Sequence, residues 1–219
     1  MNAPSANGTL AGDDEAGALD GTGGEPGLEG GEGRLGPGPA GREHRGHKRQ
    51  RRQGLAALSL LVLGFLTATA LLFLWPDINH PVPVDAILSL NGADEGAREA
   101  TAIALAEKGY SKVLLFSQGN SPTPCPIVPK VKVVCFVAVP SRTVGEVRFA
   151  AHYLKVRGWH SLLIVPDRAQ ATRARLLMDR CFSGHVLVLA APVQPLHFPF
   201  EVVYEWGALL KALLISRGC

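Results

Sequence analysis

From residue 55 to residue 75 the chain carries no charged side chain, and Lys48, Arg49, Arg51 and Arg52 stand directly before that run. About twenty apolar residues at ~1.5 Å each span the ~30 Å hydrocarbon core of a bilayer. Nine leucines, Val62, Phe65 and Phe73 together favour insertion by roughly 5 kcal/mol. Ser59, Thr67 and Thr69 can bond back to helix carbonyls, Trp75 stands where an interfacial aromatic belongs, and Pro76 ends the helix. The run therefore reads as a transmembrane helix over 54–75. It divides the chain into a head (1–53), the span, a linker (76–83) and a folding part (84–219).

Charge sets the orientation. Arg42, Arg45 and the cluster up to Arg52 precede the span, whereas the residues just after it carry only Asp77 and Asp85. Retained positive charge predicts a cytoplasmic N-terminus and an extracytoplasmic C-terminal domain. Two other readings stay open. Ala68-Thr69-Ala70 looks like a signal-peptidase site, although the apolar run continues beyond it and the leader would exceed fifty residues. A core helix of a soluble protein would need partners that the two featureless flanks do not suggest.

The net charge of +3 is segregated rather than spread, acidic up to Glu32 and basic from there to Arg52. Membrane lipid is the expected partner of the basic patch, at about 1 kcal/mol per charge. Topology already requires those charges, so no nucleic-acid partner is expected. The head is rich in Gly, Ala, Pro and Glu and lacks aliphatic periodicity. It cannot bury enough apolar surface to offset chain entropy, so 1–53 is expected to be disordered.

About 140 residues then remain to fold, which is one domain with room for its own core. Its short apolar runs at 84–90, 112–116, 131–139, 162–165 and 186–190 read as strands. Between or after them lie helical stretches ending near Lys108, and at 143–156, 169–182 and 200–216, the first two closed by Gly109 and Gly158. Val202, Trp206, Leu209, Leu210 and Leu213 fall on one face of the last. Strands that are apolar throughout are buried on both faces. The expectation is a three-layer α/β domain with a mainly parallel five-stranded sheet.

Ligands of such sheets bind beyond the carboxyl ends of the strands. Those ends carry Asn91-Gly92, Ser117-Gln118-Gly119-Asn120, Ser141-Arg142-Thr143 and Asp167-Arg168. Small polar residues there let an anion approach helix N-termini. The same residues have a local use: Thr143 with Glu146, and Asp167 with Gln170, are spaced as capping boxes. Glu205 and Lys211 suggest a structural or solvated pair, and His152, His160, His185 and His197 show no metal or triad spacing. No metal site is expected.

All four cysteines, Cys125, Cys135, Cys181 and Cys219, follow the span. On the expected outer side oxidation is permitted. A Cys125–Cys135 bridge would close a short proline-bearing loop; unpaired thiols are the alternative, and the spacing leaves the pairing of Cys181 with Cys219 open.

The order of these pieces resembles the YdcF-like family, a group of domains of unknown function related to the envelope proteins SanA and ElyC. The resemblance covers about 84–215. It rests on Asp85-Ala86-Ile87-Leu88 before a small-residue turn, Arg98 among spaced alanines, and Ser117-Gln118-Gly119. Thr143-Val144-Gly145-Glu146, Val165 through Arg173-Ala174, and a last helix with Glu205 and Lys211 complete it. The hydrophilic head and cysteine loop are similar to actinobacterial membrane-anchored members. The resemblance implies a Rossmann-like fold and a role in the cell envelope, without an established activity. It marks Asn91, Gly92, Arg98, Ser117, Gly119, Thr143, Glu146, Asp167, Gln170 and Arg173 as ligand-binding candidates. Glu146 is the catalytic candidate, and Arg98 and Arg173 are candidate anion clamps.

The chain departs from the family where a threonine-serine pair and a histidine are expected. It has Pro166-Asp167 and Gln170 instead, and glutamine cannot shuttle protons. The sequence requires no cofactor. S-adenosylmethionine, whose binding is proposed within the family, does not suit a compartment that lacks it. Three functions follow as expectations: binding of an anionic small molecule or wall precursor, a transferase or hydrolase acting on such precursors, or a non-catalytic interaction module.

Overall fold

The computed structural model describes residues 43–92, 95–119, 124–192, 198–216 and 218–219. The head through residue 42, Asn120 and His197 lie outside the described residues. The chain divides into two units, Met1–Arg49 and Gln50–Cys219; the fold that follows is that of the second.

Helix α1 (Glu43–Thr69) continues as a wider π-turn over Ala70–Leu74. It begins before Gly54, the expected start of the span, because arginine, lysine and glutamine favour helix as well as leucine does. The stretch Gln50–Leu74 is long and apolar enough to cross a membrane. Almost none of its most apolar part is buried within the protein, which separates it from the core helix of a soluble fold.

Beyond the linker, the described residues form five strands and four helices, in alternation except that β3 follows β2 directly. They are β1 (Ala86–Ser89), α2 (Glu95–Glu107), β2 (Val113–Ser117), β3 (Lys132–Phe136), α3 (Thr143–Arg157), β4 (Ser161–Val165), α4 (Ala171–Cys181), β5 (His185–Val188) and α5 (Phe198–Leu214). The sheet order is β3-β2-β1-β4-β5, with every neighbouring pair parallel. The fold is α/β and Rossmann-like, as the unbroken apolar strands require.

Register turns strand alternation into two cores. Val133, Leu114, Ile87, Leu163 and Leu187 align across the five strands and pack beneath Ala102, Leu105 and Ala106 of α2. One residue further on, Leu88, Leu115 and Ile164 point to the other face. There they join Val147, Ala150 and Leu154 of α3 and Ala174, Leu177 and Met178 of α4. Such layers are worth roughly 25 cal/mol per Å² of apolar area withdrawn from water.

The ends of the sheet are closed by polar contacts. At the amino edge, Asp85 accepts hydrogen bonds from the His160 and Ser161 amides and from Ser161 Oγ. The Ser161 hydroxyl and these amides hold its carboxyl below the usual aspartate value against a small cost of burial. At the β5 edge, Asn79 of the linker donates to Val188 O and accepts from Val188 N, which occupies backbone groups that would otherwise be left open. Arg175 holds Asn79 there.

Both expected and open cysteine pairings are formed. Cys125 bonds to Cys135 on the edge strand β3, and Cys181 at the end of α4 bonds to Cys219. Two disulfides are consistent with an extracytoplasmic domain. Replacing Cys125 and Cys135 together by serine is expected to cost about 2.7 kcal/mol, from the closure entropy of so short a loop. Denaturant midpoints of the two forms would measure it, and a loss below roughly 1 kcal/mol would mean that the reduced loop is already ordered.

Candidate functional site

The chain runs outward from β1 to β3 and then returns to place β4 on the other side of β1. At such a reversal the connections leave the sheet in opposite directions and open a crevice at the carboxyl ends. A cleft of about 1100 Å³ lies there. Asn91 and Gly92 follow β1, Ser117 and Gly119 end β2, Thr143 and Glu146 open α3, and Asp167, Gln170 and Arg173 surround the start of α4; all nine line it.

Two glycines shape its floor. Gly119 has φ of +57°, and a Cβ there would lie 2.7 Å from the Asn91 side-chain amide. At Gly92 a Cβ would lie 2.6 Å from Nη1 of Arg98. The Asn91-Gly92 turn therefore rests directly on a guanidinium, and any side chain would push the two apart.

Arg98 itself is fully buried and stands outside the lining. Its Nη1 donates to Asp167 Oδ2 at 2.9 Å and to Gln170 Oε1 at 3.4 Å. Among the described residues its Nε and Nη2 have no hydrogen-bond partner. The structure thus places this arginine behind the wall, where it neutralises Asp167. Gln170 carries the contact onward: its Nε2 donates to Thr143 Oγ1 at 2.9 Å. An amide, which both donates and accepts, ties α2, α3 and the start of α4 together at this position.

Arg173 is in the cleft wall but is also engaged. Its Nε and Nη2 donate to the two Glu205 oxygens, each at 2.6 Å. Burial opposes its charge, but the Glu205 carboxylate outweighs that cost and holds the guanidinium above its ordinary value. Glu205 therefore does not pair with Lys211. Six residues apart on a helix, the two point in different directions: Glu205 turns inward, and Lys211 is exposed at the cleft rim.

The capping-box spacings resolve differently. Asp167 Oδ1 accepts from the Gln170 amide at 2.7 Å, as its spacing predicts. At α3, however, the N-cap is Arg142, which makes no side-chain cap. Glu146 is buried and reaches across the cleft floor, where Oε1 accepts from the Asn91 amide at 2.7 Å. Burial raises the Glu146 carboxyl above the usual glutamate range, opposed by Ser117, the Asn91 amide and the charges of Arg98 and Arg173. The Ser117 hydroxyl is buried and adjoins Glu146, but the described contacts leave it without hydrogen-bond geometry to any partner.

The chemistry on offer is thus a protonatable carboxyl in the first turn of α3, lining the cleft beside an N-cap residue, Arg142, that makes no side-chain cap. Arg142 and Lys211 make no ion pair among the described residues, while Arg98 and Arg173 are internally compensated. The far wall went unanticipated. Phe200, Glu201, Val203, Tyr204, Glu205 and Lys211 of α5 contribute to it, whereas the apolar spacing put Leu210 and Leu213 on a buried face. Both are exposed, because Glu205 turns toward Arg173 and Trp206 toward Phe65 and Phe73. A helix apolar on nearly every side was the available signal of two partners. No family model matches the chain, and no curated protein or solved structure matches it.

Proposed function

We propose that the chain is a single-pass cell-membrane protein of the YdcF-like type, with its N-terminus in the cytoplasm and its α/β domain outside. In this reading the domain binds an anionic small molecule or wall precursor of the cell envelope. The basic flank before the span and the two disulfides after it support the topology. The observation that carries the ligand class is the uncapped α3 N-terminus opening into the cleft beside Arg142. Its partial positive charge and oriented amides favour an anion. The test is thermal melting of the full chain in nanodiscs with inorganic pyrophosphate. Saturable stabilisation is expected, with the apparent Kd raised roughly tenfold by Arg142→Ala, the worth of one charge-assisted hydrogen bond. Stabilisation that is absent, or indifferent to Arg142, would remove the anion site.

A second reading, a transferase or hydrolase, is favoured by Glu146 alone. A buried carboxyl with a raised pKa suits a general base or acid. Glu146→Gln keeps an acceptor for the Asn91 amide and removes the titration. Because the folded value lies above the unfolded one, the wild type loses stability as pH rises from the ordinary glutamate range through the folded value. The variant is therefore expected to melt no lower than wild type at neutral pH, with the difference in its favour shrinking toward acid. Turnover of a precursor, if this reading holds, would fall by about 10²–10⁴. A variant that melts well below wild type at neutral pH would contradict the assignment of burial as the cause.

A further inference from the structure

Helix α5 is apolar on two sides. Leu209 and Ala212 face the domain. On the outward side, Phe200, Val203, Tyr204, Leu210 and Leu214 share one arc of about 120° at 100° per residue, each between 48% and 79% exposed. An apolar stripe of this length on a water-facing helix has an occupant to find. Trp206 indicates which. Its ring stacks on Phe65 with centroids 5.2 Å apart and meets Phe73 edge-on at 5.3 Å. Its Nε1 donates to Thr69 Oγ1 at 3.1 Å.

Those three residues belong to the stretch Gln50–Leu74 that is long enough to cross a membrane. Phe65 lies nine positions before Leu74, roughly 13 Å along the axis. The uncharged run is only about as long as the ~30 Å core it would cross. A helix whose Trp206 reaches Phe65 and Phe73 cannot stand clear of the bilayer; it is drawn into the outer leaflet. Lys211, the charged residue on the exposed side of α5, has a stem long enough to keep its ammonium among head groups. Phe200, Val203 and Tyr204 also form the rim of the cleft, so the mouth opens where the stripe lies.

We propose that the outward stripe of α5 is bedded in the outer-leaflet interface, and that the cleft takes the anionic head group of an amphiphile resident in that leaflet. The first half rests on the membrane-span reading and the second on the anion site proposed above. The occupant of the stripe is the bilayer itself. The cleft ligand is defined by an anionic head and an apolar tail that remains among lipids.

The full chain in nanodiscs, one chain per disc, tests both halves. A fluorescent non-canonical residue is placed at Val203, or at Lys132, which is exposed at the start of the far edge strand β3. Brominated lipids are expected to quench the first label several-fold more than the second, and aqueous iodide the reverse. Equal iodide access at the two positions would overturn the placement. So would a chain-to-chain crosslink at position 203 in discs loaded with two copies together with iodide access in single-copy discs, which would give the stripe to a second copy.

The head-group half is read by melting, with phosphatidic acid in the disc compared with glycerol phosphate in solution. Phosphatidic acid is expected to stabilise the wild type, lose that effect in Arg142→Ala, and act at a concentration roughly tenfold or more below glycerol phosphate, since its tail stays buried. Equal potency would overturn presentation from the membrane while leaving the anion site standing. If neither molecule stabilises although inorganic pyrophosphate does, the amphiphile is overturned; if pyrophosphate fails as well, the anion site falls with it.

Discussion

Arg98→Ala is expected to lower the stability of the domain by about 4 kcal/mol, the cost of stranding one member of a buried ion pair. Arg98 is fully buried and Asp167 nearly so. Without the guanidinium, the Asp167 carboxyl is left beside an empty space, and the Asn91-Gly92 turn loses the surface on which it rests. For a domain of this size the change corresponds to a melting point about 12 °C lower. Because two of the Arg98 nitrogens have no partner among the described residues, the pair is an incomplete one. The double variant Arg98→Met with Asp167→Asn should therefore recover at least half of the loss, since apolar volume replaces the guanidinium and an amide oxygen can still cap Gln170. Denaturant midpoints of the three variants decide the matter. A single variant within roughly 1 kcal/mol of wild type would show that water reaches Asp167 readily.

Glu205→Ala is expected to have a comparable effect on stability, about 3–5 kcal/mol, but an opposite effect on binding. Glu205 engages Arg173 through two short, parallel hydrogen bonds, and Arg173 lines the cleft. Removing the carboxylate leaves a buried guanidinium whose fork points into the space where the proposed anion binds. The folded fraction should then bind pyrophosphate roughly tenfold more tightly, as a bidentate arginine contact replaces an internal one. Melting and titration of the same variant report the two quantities separately. Lower stability with unchanged affinity would place the anion away from Arg173, nearer to Arg142 and the α3 N-terminus. Unchanged stability would deny the pair its structural role.

These two residues also show how far local pattern reaches. Asp85-Ala86-Ile87-Leu88 and the other apolar runs announce buried strands, because a strand covered on both faces has no polar side to alternate with. Asn91, Ser117, Thr143 and Asp167 follow from the same pattern, since residues at strand ends must meet at one edge of a parallel sheet. Arg98 and Arg173 look alike in the sequence, each an arginine among small residues near a helix start. Their partners, Asp167 and Glu205, lie 69 and 32 positions away, and no spacing rule joins charges at such separations. Thr143 and Glu146 make the same point in reverse: a spacing that satisfies a local rule is overridden when burial turns Glu146 toward Asn91.

A hydrocarbon-length helix, a basic flank and a series of wholly apolar strands are properties of contiguous residues, governed by short-range solvation and backbone geometry. They were legible before any coordinates, as was the edge of the sheet that bears the cleft. Which carboxylate neutralises which guanidinium, and which side of α5 meets α1 at Trp206, depends on groups far apart in the chain that meet only when the sheet closes. Desolvation then makes each such pairing a matter of several kcal/mol, and that energy exists only in the assembled fold.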